Sequence, residues 1–169
     1  MRKLLALVAI LSLGMAGNAW AMHCPEVSSS STAYRCTMTV FNDNGSAITS
    51  GHTVAWDSDD TDFSTTGSPY IIATATADDP YTAGVMLTSS CADQSLCEIV
   101  VRGMATVVVA DSTDNAAVDT LVGVSTVSGQ VGDYATGANT CSVGNLVAFN
   151  ASDAVDNALG RLFVDIDCD

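Results

Sequence analysis

The chain has 169 residues, with 19 acidic side chains against 5 basic ones, a formal net charge of −14 and six cysteines. That length suits a single domain. The charge excludes nucleic acid as a partner, because phosphate binding needs a basic patch. A hydrophobic content of 48% is enough to build a core and excludes global disorder.

The first residues read as an address. Arg2-Lys3 is a short positive segment and Leu4–Leu13 an apolar run interrupted only by Ser12. Ala19-Trp20-Ala21 then offers small residues at both recognition positions of a cleavage site. This pattern predicts a secretory signal peptide over residues 1–21, cut after Ala21. The apolar run is well short of the ~20 residues that a spanning helix needs. Met22-His23 stands before Cys24 where a lipoprotein box would end in a small residue. No later segment approaches a membrane span, so no stable membrane insertion is expected after cleavage. Losing Arg2 and Lys3 leaves Arg35, Arg102 and Arg161 as the only basic side chains, with no lysine. The predicted location is exported: periplasm, cell surface or extracellular space.

All six cysteines, Cys24, Cys36, Cys91, Cys97, Cys141 and Cys168, lie in the exported portion. An even number in an exported chain predicts a disulfide framework, and six cysteines permit fifteen connectivities. Local closure is the expected solution, with Cys24–Cys36 and Cys91–Cys97 tying loops and Cys141–Cys168 fastening the last strand. Zinc is not indicated, since CxxC-like spacing is absent.

Short β-favouring runs separated by turn chemistry fill the rest. Tyr34–Phe41 is rich in strand formers, Asn42-Asp43-Asn44-Gly45 is a turn signal, and Ala47–Trp56 is the expected return strand of a hairpin. Residues 57–69 form a polar loop. Further predicted strands are Tyr70–Thr76, Gly84–Thr88, Glu98–Arg102, Met104–Ala110, Leu121–Val127, Leu146–Phe149 and Arg161–Ile166. In the last of these Leu162, Val164 and Ile166 share one face. Helical periodicity is weak throughout; Ala151–Leu159 is the one stretch that could open a helical turn or two. About seven to nine short strands at close spacing predict a single compact antiparallel β sandwich or barrel, all-β and stapled by disulfides. The expected layout is a signal peptide (1–21) and an exported β domain (22–169), with an N-terminal hairpin and acidic loop over 22–82 and a β core over 83–169.

Catalytic patterns are weak. His52 is five residues from Asp57, but no Gly-x-Ser-x-Gly elbow accompanies it, and a surface strand histidine explains it. Glu26 and Glu98 are the only glutamates, and nothing marks a carboxylate pair for glycoside hydrolysis. Asp57, Asp59, Asp60 and Asp62 crowd into one short segment and would suit calcium, a hard cation that takes 6–8 oxygens. The segment lacks the central Gly and closing Glu of an EF-hand, so a solvated acidic loop is the simpler explanation.

Several segments resemble small β domains of tailed-phage virions, the head-decoration and capsid-fibre proteins. They are Ala83–Thr88 (AGVMLT), Val100–Val107 (VVRGMATV), Asp119–Ser125 (DTLVGVS), Ser142–Ala148 (SVGNLVA) and the closing Arg161–Ile166 (RLFVDI). The resemblance runs over roughly residues 84–166 and implies a compact β domain that trimerises or adds onto a lattice, with no catalytic residues. The leader and the six cysteines depart from the family's pattern.

These readings converge on a non-enzymatic structural subunit of an extracellular assembly (filament, coat or surface layer) that self-associates through β-domain packing. A calcium-dependent adhesin or ligand-binding module and a virion decoration protein are the alternatives.

Overall fold

The computed structural model describes Cys24 and residues 35–56, 70–73, 81–110, 119–125, 127, 129–134, 141–149 and 158–168. These residues contain no helix and form eleven strands. In chain order they are β1 (Arg35–Asn42), β2 (Ile48–Thr49), β3 (Thr53–Trp56), β4 (Tyr70–Ala73), β5 (Thr82–Met86), β6 (Ser90–Cys91), β7 (Ser95–Val109), β8 (Leu121–Val124), β9 (Val131–Asp133), β10 (Cys141–Phe149) and β11 (Ala158–Cys168).

Nine strands form one sheet in the order β1-β4-β3-β5-β7-β11-β10-β8-β9, and β2 pairs separately with β6. Two additional pairings, β1–β7 and β7–β9, return both ends of that order to β7. The sheet therefore closes twice, as two circuits that share β7. Closure of this kind removes the free edges that an open sheet would present. Most pairings are antiparallel; the short contacts β1–β4 and β7–β9 are parallel.

Each circuit encloses a core. Val40, Ile48, Val54, Met86, Cys97 and Ile99 pack in the first, and Val107, Val109, Val122, Val131, Val143, Leu146, Leu162 and Val164 in the second. Valine suits both, because its branched, single-rotamer side chain fits a pleated surface at little entropic loss. The alternation expected for the last strand is present: Leu162 and Val164 are buried in the second core and Ile166 packs against it.

β7 passes from one core to the other. Val100 and Ala105 both enter the second core, although positions five apart face opposite sides of a regular strand. A register shift reconciles them: Cys36 pairs with Arg102 but Thr37 with Val100, so Val101 is an extra residue in β7. Gly103 follows with φ +98°, which a side chain would resist. The sequence predicts a break between two strands at this glycine. The structure shows one strand of 15 residues, because β1 flanks Arg102 and Gly103 on one side and β11 flanks them on the other.

The expected hairpin at Asn44-Gly45 is also corrected. β1 pairs with β7 over its whole length and meets β4 only at Phe41 and Asn42; β4 separates it from β3. The reason lies in Asn42, a fully buried polar side chain. Its Oδ1 accepts from the Asn44 backbone N–H at 3.0 Å, while its amide donates to the carbonyls of Ser46, Cys91 and Ala92 at 2.9–3.1 Å. Gly45, at φ +70°, closes the turn and donates to Asp93. The turn is thus held against the β6–β7 loop, and the chain enters β2 to pair with β6 instead of returning along β1.

The remaining differences concern element ends. β10 begins at Cys141 and β11 at Ala158, so Ala158 and Leu159 are strand where a helical turn had been expected. Residues 151–157 and the predicted signal peptide lie outside the described residues. β5 and the first half of β7 complete the first circuit, so the two cores interlock across the expected division at residue 83.

Candidate interaction surface

The structure links Cys24 to Cys36 and Cys91 to Cys97. Cys141 is also disulfide-bonded, and its backbone lies directly across the β10–β11 ladder from Cys168. No described cysteine is free. The Cys91–Cys97 bridge encloses the turn whose carbonyls Asn42 holds, and both cysteines are buried in the first core. Asn42→Ala is expected to strand those carbonyls and lower stability by about 2 kcal/mol. Urea denaturation of the oxidised protein checks this as a lower midpoint at unchanged slope.

Asp57, Asp59, Asp60 and Asp62 lie outside the described residues. Among the described residues no three of His, Cys, Asp and Glu gather closely enough to hold a metal ion. His52 has Nδ1 2.9 Å from Thr49 Oγ1 and 3.2 Å from the Thr49 carbonyl, and its ring packs under Gly129, whose φ is +74°. These contacts pin the link between β2 and β3. A cleft of about 160 Å³ is lined by Arg35, Ser50, Gly51, Met86, Leu87, Val100, Ala105 and Thr106. It contains no acid or imidazole, and its one charged group is committed, with Arg35 Nε donating to the Met104 carbonyl at 3.0 Å.

The surface chemistry is concentrated on the outer face of β7, β11 and β10. Register places Met104 opposite Phe163 and Phe163 opposite Asn145. Thr106 lies opposite Arg161 and Arg161 opposite Ala148 in the next row, and Val108 pairs with Leu159 beyond that. Leu159 is 65% exposed, Val147 45% exposed, and Met104 and Phe163 are half-buried. At the other end Arg102 faces Asp165 at 3.5 Å, an exposed pair that adds little stability.

The three arginines after Lys3 therefore sit on the adjacent strands β1, β7 and β11. The sequence shows these arginines but not their common placement, because the pairing partners are distant in the chain. Alternation in Arg161–Asp167 was the only local hint, since it left Phe163 facing outward.

No protein-family model and no curated protein matches the chain. Among solved structures, the chain is similar to the N base of the head fibre gp8.5 of bacteriophage phi29, with a TM-score of 0.44 and 13% identity over 76% of this chain and 92% of that one. It is also similar to a chain of the capsid of the Myoviridae phage XM1, with a TM-score of 0.46 and 16% identity over 87% of this chain and 92% of that one.

Proposed function

We propose that the protein is a structural subunit of an extracellular assembly, exported by its N-terminal signal segment, and that it works by packing β domains together without making or breaking substrate bonds. The observation that carries this reading is the outer face of β7, β11 and β10. It combines an exposed leucine, an exposed valine, a half-buried phenylalanine and methionine, and arginines, on a sheet whose backbone is already paired. Aromatic residues, Met and Arg are the side chains enriched where proteins meet, and Lys and Glu are depleted there. Two interlocked cores and disulfide closures would hold such a face rigid outside the cell, which lowers the entropy lost on association.

Electron microscopy of the protein isolated from the envelope and medium of expressing cells tests the proposal. Ordered polymers, formed with or without calcium, are the expected result. A uniform monomer that gains heat stability with calcium would replace this reading with the adhesin, for which the Asp57–Asp62 segment is the candidate cation site.

A further inference from the structure

The proposed packing role leaves open what the outer face of β7, β11 and β10 meets. We infer that the outer face formed by Met104, Thr106, Leu159, Arg161 and Phe163 docks an acidic surface of a second copy of this chain. The inference rests on the assembly reading above and goes further by naming the contact and its chemistry.

Charge singles out this face. With 19 acidic side chains on each copy, most orientations of approach bring like charges together. Of the three arginines that follow Lys3, Arg102 and Arg161 stand on this face, while Arg35 pairs opposite Gly103 and lines the cleft with Val100 and Ala105. Along β7, Arg102 and Thr106 (the partner of Arg161) are separated by about 13 Å at ~3.3 Å per residue. Arg102 is partly answered by Asp165, and Arg35 is turned to the Met104 carbonyl. Arg161 is exposed beside Leu159 and Phe163, so a partner carboxylate reaching it would gain an apolar surround that excludes water. A second copy of this chain supplies such carboxylates in abundance.

The test uses the near-absence of lysine. Arg161→Lys keeps the charge and places an amine at the centre of the face, in a sequence with no lysine after Lys3. A carbodiimide, which joins amines to carboxylates in direct contact, should then give a covalent dimer through position 161. Sedimentation velocity should show association weakened at least tenfold by Arg161→Glu and by Leu159→Asp. Leu96→Asp, which alters a leucine 60% exposed at the opposite end of β7, should associate as the native protein does. Circular dichroism confirms that each variant is folded. If native protein assembles and the Arg161→Glu and Leu159→Asp variants assemble equally well, the inferred contact is overturned while the assembly reading stands. A cross-link to an unrelated acidic protein in place of a second copy also overturns it. Native protein that stays monomeric at every concentration overturns both.

Discussion

Gly144→Ala should be among the most damaging single substitutions in the described fold. Gly144 lies in β10 at φ +146°, and a Cβ there would run into the carbonyl oxygen of Phe163 and crowd the Asp165 backbone N. Both obstacles are main-chain atoms of β11, so no side-chain rotation can relieve them. The register shift between Ser142 and Gly144 makes this close approach necessary. Relief requires the β10–β11 ladder to separate locally, and that ladder encloses Leu146, Leu162 and Val164. Backbone strain and overpacking together are expected to cost about 2–6 kcal/mol. Thermal and urea unfolding against native protein check this, and the Gly45→Ala variant is a useful comparison, because a Cβ at Gly45 meets nothing within 4 Å.

Leu162→Ala should have the next largest effect. Leu162 is fully buried between Ala105 of β7 and Leu146 of β10, its ladder neighbours, and both belong to the same core. The surrounding side chains are mostly valines, which are short, branched and fixed in rotamer, so they cannot collapse into the space left behind. A loss of about 2–5 kcal/mol is expected, with the upper part of that range favoured by the rigid walls. Leu159→Ala, three residues earlier on the same strand but 65% exposed, should change stability by less than about 0.5 kcal/mol. Equal losses at the two positions would contradict the assignment of inner and outer faces to β11.

The fold class was legible because strand-forming runs and turn residues are local signals. Arg161–Ile166 shows its inner and outer faces by alternation alone. The path of the chain was less legible. Asn44-Gly45 has the residues of a hairpin turn, yet the buried amide of Asn42 ties that turn to Cys91 and Ala92, far along the chain. Gly103 looked like a break between two strands, and only the presence of β1 on one side and β11 on the other keeps β7 continuous through it. β9, three residues long, was missed, because its pairing with β8 and β7 is a tertiary property.

The candidate surface was still harder to read. Arg102 and Arg161 come onto one face through the pairing of β7 with β11, and Phe163 meets Met104 through the same register. No spacing within the sequence encodes these meetings. The acidic segment Asp57–Asp62 shows the reverse situation: its composition is plain in the sequence, while its position lies outside the described residues.

Whether the chain associates at all is decided by the solution mass of the native, oxidised protein across a wide concentration range, by light scattering coupled to size separation. The mass of a structural subunit should rise with concentration toward discrete or extended multimers, with disulfides intact and no added cofactor. A single-chain mass at every concentration, with calcium present or chelated, would contradict it.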